Sequence, residues 1–138
     1  MTAPDEQILR KVMEWMAHAD EDLRVAEHTL TLREECPYRL VAYHAQQCAE
    51  KYIKAYLVLH RIDFPYTHNI ARLLELCPES PGWRTSLIEA EELTPYAITT
   101  RYPGEDEPVS EPEARRAVAI AAHVRDVVAR TIGTAEGR

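Results

Sequence analysis

Apolar residues recur at spacings of three and four along most of this chain, with no sustained alternation of period two. The first such stripe is Ile8, Val12, Trp15, Met16, Ala19, Leu23, Ala26 and Leu30. It predicts a long amphipathic helix to about Leu32. Thr2 with Asp5 resembles a capping box, and Pro4 suits a first turn. Glu14, His18, Glu21 and Asp22 lie on its outer face. Glu14, His18 and Asp22 have the spacing of a metal edge, but they face away from the apolar stripe and read as solvated.

Pro37 opens a second helix that runs to about Arg61. At about 100° per residue, Ala45, Cys48, Ala49, Tyr52, Ile53, Ala55, Tyr56 and Leu59 fill one broad arc. Gln46, Gln47, Glu50, Lys51 and Lys54 fill the opposite arc, with His44 on the boundary. That arc is either a solvated face or an interface that has to be polar. Glu50 and Lys54 stand in the favourable order for an i, i+4 pair, which reads as a surface pair or as a device that fixes the polar face for a ligand. His44, Gln47 and Lys51 share a stripe that could be solvated or could serve a polar site.

Pro65 ends the second helix in a loop. Thr67 is expected to cap a short helix from His68 to about Leu76. His68 then falls in a first turn, where the helix dipole disfavours a protonated imidazole. Ser80-Pro81 signals another start, and Trp83, Leu87, Ala90, Leu93 and Ala97 carry that helix to about Thr100. Pro95 inside it predicts a kink near Glu91–Glu92 or a split helix. A loop of about nine residues from Arg101 to Val109 exceeds most bundle connections. Ser110 and Glu113 form a further capping box, and the last helix runs to about Thr131. The sum is an all-α, up-down helical bundle of four main helices plus one short helix. A single domain over 1–138 is expected, with its core at about 5–131 and a frayed tail at 132–138.

Composition narrows the classes. A chain of 138 residues suits one domain, and its high apolar content and scarce glycine argue against disorder. The net charge of −7 and pI near 5.4 argue against broad, sequence-independent nucleic-acid binding, though a small basic cleft is compatible. No apolar run approaches the roughly 20 residues that span a bilayer, and the N-terminus lacks the pattern of a signal peptide. Three cysteines without a Cys-x-x-Cys pattern read as reduced thiols in a cytoplasmic protein. Neither a metal site nor a cofactor is expected.

The run from His44 to Ala55 resembles the Gln-x-x-Glu-Lys-x-x-Lys-Ala signature of HEPN domains. Thr67-His68-Asn69-Ile70 resembles that family's Thr-His-Asp-Leu, and Arg101-Tyr102-Pro103 its Arg-Tyr-Pro segment. Order and separations agree over roughly residues 8 to 130, as do Asp22-Leu23 and Ala26 in the first helix. The resemblance implies a helical bundle, often homodimeric, and commonly encoded beside a minimal nucleotidyltransferase as a toxin–antitoxin pair. It implies nucleotide or RNA binding, and in many members metal-independent ribonuclease activity through an Arg-x4-6-His motif near the start of a later helix. This chain departs there: acids follow Arg101, and no histidine comes until His123. Arg39-x4-His44 matches formally, but five residues of helix set the two side chains about 140° apart.

Arg101 at a helix end suits phosphate recognition, and Tyr102 could stack on a base. Arg101 could equally cap carbonyls or pair with nearby acids. The expected ligand-binding set is therefore Arg101, Tyr102, His44, Gln47, Lys51 and His68, with His44, His68 and Arg101 as weak catalytic candidates. Three readings stand: a nucleotide- or RNA-binding partner of a nucleotidyltransferase, a metal-independent ribonuclease toxin, and a non-catalytic protein-interaction module.

Overall fold

The structure is a computed structural model that describes residues 6–78, 82–98 and 108–136, with side chains to residue 133. It is all-α, with no strand among the described residues. Helix α1 spans Glu6–Thr29, α2 Tyr38–Leu59, α3 Ile70–Leu76, α4 Trp83–Leu87 and α5 Glu111–Glu136, and a 3₁₀ helix covers Ile88–Ala97. None of these helices is long and apolar enough to cross a membrane.

Cross-helix contacts set the directions. Asp22 meets Lys51, Asp20 meets Tyr52, and Trp15 lies against Lys54, so α1 and α2 run antiparallel. Glu92 meets Arg116, Ser86 meets His123, and Trp83 meets Thr131, so the α4–3₁₀ segment runs antiparallel to α5. The connectivity is up-down-up-down.

Helix α2 is the central element. It packs against α1, α5, α3 and the 3₁₀ helix. Ala42, Ala45, Cys48, Ala49, Ile53, Ala55 and Leu57 are fully buried on it. Its small residues allow close approach from several sides at once. The expected opposite, polar arc is not solvated: Gln46, Gln47, Glu50 and Lys54 are buried too. The reason is visible in the row that contains them. Ala42 and Leu57 continue the line of Gln46, Glu50 and Lys54 at either end, and both are buried. A helix apolar at so many angles has to be enclosed.

Several element boundaries differ from the pattern. Asn69, not Thr67, caps α3: its side chain accepts from Arg72 N at 3.1 Å, while Thr67 Oγ1 accepts from Asn69 N at 3.1 Å. His68 therefore precedes the helix and does not sit in its first turn. The expected fourth helix is split, as Pro95 required, but at Ile88, and its second part is 3₁₀. Pro95 has no N–H to donate in either winding, and in α geometry its ring would also collide with the Glu91 carbonyl, which disfavours α winding here. The capping box of Ser110 and Glu113 closes reciprocally, at 3.0 and 3.2 Å. Helix α5 continues to Glu136, past Thr131. The expected starts at Thr2–Asp5 and Ser80–Pro81 lie outside the described residues.

Two features of the frame give measurable expectations. Helix α2 ends in a Schellman motif, with Ile62 N bonded to Leu57 O at 2.9 Å and Arg61 N to Val58 O at 3.0 Å. Arg61 holds the left-handed position at φ 58°, where glycine carries no Cβ penalty. Arg61→Gly is expected to raise unfolding free energy by about 0.5–1 kcal/mol in urea titration. A loss of stability would show that the arginine's own contacts outweigh the backbone strain. The three thiols should also differ. Burial pushes Cys77 up to about 12 and Cys48 higher still, whereas Cys36 is only half-buried. Near pH 8 a thiol reagent should label Cys36 first and reach the other two only in denaturant. Equal labelling rates in the native protein would contradict this packing.

Candidate functional site

The polar arc of α2 is satisfied by two carboxylates. The first is Asp22, on α1. His44 Nδ1 lies 2.8 Å from Asp22 Oδ1, and Lys51 Nζ donates to Asp22 Oδ2 at 2.6 Å. A carboxylate oxygen only accepts, so Nδ1 of His44 carries the proton. The Asp22 side chain is 11% exposed, against 29% for His44 and 23% for Lys51. The acid is thus the buried anchor, and its two partners reach toward solvent.

The second anchor is Glu50, on α2 itself and 4% exposed at the side chain. Its Oε2 accepts from Lys54 Nζ at 2.9 Å, and its Oε1 lies 2.7 Å from His68 Nδ1. Gln46 Nε2 donates to Glu50 Oε1 and to the His68 carbonyl, each at 3.1 Å. Gln47 Nε2 donates to Gln46 Oε1 at 2.7 Å. Lys54 is buried beneath two rings: its Nζ lies 5.6 Å from the Trp15 centroid and 5.5 Å from that of Phe64. Those rings meet edge to face, so the ammonium is held by one carboxylate and two π-faces.

Each imidazole is therefore oriented by a buried acid at Nδ1, and no other described side chain bonds its second nitrogen. With Nδ1–H donated to a carboxylate, a neutral ring presents its lone pair at Nε2, and a protonated ring presents an N–H donor there. Together with Lys51, this arrangement can bind an anion or exchange a proton at Nε2.

Of the expected ligand-binding residues, His44 and Lys51 come together on Asp22. Gln47 joins the same α2 face through Gln46, and His68 joins it through Glu50. Arg101 and Tyr102 lie outside the described residues. Arg39 is exposed, five residues before His44 on α2. Two readings are corrected. Glu50–Lys54 is a buried pair, not a surface pair. Asp22 is not on a solvated face with Glu14 and His18; those two are exposed, and Asp22 is only 9% exposed. Sequence reasoning missed Asp22 and Gln46 as network members, and missed that Glu50 and Lys54 are buried. A signal for Asp22 was present: it follows Ala19 by three and precedes Ala26 by four, on the flank of the buried stripe.

The family model that matches this chain is that of the HEPN domain, over residues 12–131. The chain is similar to the crystal structure of TT1696 from Thermus thermophilus. Identity is 28% over 87% of this chain and 97% of that one, with a TM-score of 0.69. It is similar in fold to ST0689, an archaeal HEPN homologue: 23% identity over 91% and 95% of the two chains, TM-score 0.54. No curated protein matches.

Proposed function

This chain belongs to the HEPN domain family, a family of nucleotide-binding or ribonuclease type, and from that premise we propose that it binds nucleotide or RNA phosphates on the α2 flank. The observation that carries the proposal is the pair of buried acids, Asp22 and Glu50, which present His44, Lys51 and His68 to solvent in fixed orientation. Lys51 supplies the charge, each imidazole supplies a directed N–H at Nε2 when protonated, and the buried Gln47 braces Gln46 behind them. Arg101 and Tyr102, which precede α5 in the sequence, complete the proposed set as phosphate and base contacts. The biological unit is a homodimer that pairs with a minimal nucleotidyltransferase in a toxin–antitoxin system. Support for that unit comes from the Gln47–Ala55 signature and the family match.

Calorimetry with ATP and with a short RNA tests the reading. Lys51→Ala and Arg101→Ala should each weaken binding about tenfold, the size expected for a lost charge-assisted contact. Arg101→Ala should melt near the parent, whereas Lys51→Ala also strips a charge-assisted hydrogen bond from the buried Asp22 and should melt lower, so its binding is measured well below that transition. Absence of binding to both ligands sinks the proposal and leaves an interaction module.

The two carboxylate-anchored imidazoles also favour a second reading, metal-independent RNA cleavage, in which one ring takes a proton from the ribose hydroxyl and the other returns one to the leaving oxygen. Cleavage that persists in chelator and disappears in both His44→Ala and His68→Ala supports it. Cleavage indifferent to both changes excludes it.

A further inference from the structure

We propose that Tyr66 is a stacking platform for an unpaired nucleobase, beside the phosphate-binding face of α2. The inference rests on the nucleotide-binding reading above and adds to it the residue that grips the base.

Tyr66 is 92% exposed, more than any other large hydrophobic side chain among the described residues. An aromatic ring left this open buries little of its own area, so its place in the chain is not explained by packing. The backbone on either side of it is constrained. Pro65 fixes the backbone dihedral immediately before it. Two residues later the chain is pinned three ways: Gln46 Nε2 donates to the His68 carbonyl, Glu50 holds the His68 ring, and Thr67 Oγ1 accepts from Asn69 N. The Tyr66 ring meets the His68 ring edge to face, with centroids 5.5 Å apart. The exposed ring therefore stands beside an imidazole that Glu50 holds.

Tyr43 shows the contrast within the same molecule. It too meets its histidine edge to face, with centroids 5.1 Å apart, but Tyr43 is half-buried. Each anchored imidazole thus has a tyrosine at its edge, and only the one beside His68 is open to solvent. Base stacking on such a face tolerates any base, because every base has a π-surface. It also acts without adding positive charge, which suits a chain of net charge −7. A protein partner's side chain could cover the same ring, and the test separates that case.

The test compares a short oligoadenylate with an abasic ribose-phosphate strand of equal length, by fluorescence anisotropy at one salt concentration. Parent, Tyr66→Phe, Tyr66→Ala and Lys51→Ala are measured. Tyr66→Ala should bind oligoadenylate about tenfold more weakly and the abasic strand unchanged. Tyr66→Phe should match the parent, and Lys51→Ala should weaken both strands alike. Because Tyr66 is exposed, the alanine variant should melt with the parent. The inference is overturned by Tyr66→Ala binding oligoadenylate like the parent, which leaves the ring to a protein partner. It is equally overturned by that variant losing both strands equally, since the ring then acts through His68 or phosphate. If the parent binds neither strand, the nucleotide reading itself fails and this inference with it; a parent that binds both strands with Tyr66 silent removes this inference alone.

Discussion

Glu50→Ala is expected to lower the unfolding free energy by about 3–5 kcal/mol, the cost of removing one partner from a buried ion pair. The side chain of Lys54 is only 7% exposed, and its ammonium would be left with the faces of Trp15 and Phe64 as its remaining contacts. Cation–π attraction is worth about 0.5–2 kcal/mol, too little to offset the desolvation of a buried charge. Gln46 and His68 lose their shared acceptor in the same step. The charge, more than the lost hydrogen bonds, should dominate. Glu50→Leu combined with Lys54→Met should therefore recover most of the loss, because no charge then remains buried. Urea unfolding of the two single variants and the double variant closes the cycle. A single-variant loss below about 1 kcal/mol would falsify the burial of this pair.

Asp22→Ala is the second large effect. It removes two charge-assisted hydrogen bonds at 2.8 and 2.6 Å, each worth about 1.5–3 kcal/mol in a buried setting. His44 and Lys51 keep 29% and 23% exposure, so both can be rehydrated and the sum is not realised. The expected cost is about 2–3 kcal/mol, smaller than for Glu50 for that reason. The functional effect should be larger in proportion. His44 loses the acceptor that fixes its ring, and Lys51 loses the acid that holds its ammonium. Binding of a short RNA by Asp22→Ala should then fall about tenfold or more, below saturation and well under the melting temperature of the variant. Unchanged binding with the stability loss intact would mean that Asp22 serves the fold alone.

Much of the fold was legible in the chain. The stripe from Ile8 to Leu30 named the core face of α1, and Val12, Ala19, Leu23 and Ala26 on it are buried. Ser110 and Glu113 marked the start of α5 because a reciprocal cap is a local device that needs no tertiary partner. Pro95 announced a break for the same reason, though the change to 3₁₀ winding begins at Ile88 and depends on what surrounds the segment. The cap of α3 was misplaced by two residues because Thr67 and Asn69 are both good caps. The neighbouring 3₁₀ helix helps decide between them, as Thr94 Oγ1 accepts from Ile70 N at 3.1 Å.

The site was legible in a different sense. His44, Gln47, Lys51 and His68 could be picked out, since they share a polar stripe or fall in the runs that resemble the family's motifs. Their order of importance could not. The sequence by itself determined the helices, their inward faces and the run that marks the family. Only the tertiary structure decided which polar residues are anchors and which face solvent. The cause is that amphipathic patterning measures a residue against its own helix, whereas burial of a charge is set by what another helix brings to it. Asp22 on α1 and the Trp15–Phe64 rings turn an arc that reads equally as solvated face or polar interface into an enclosed network, with the two acids inside and the imidazoles at its edge.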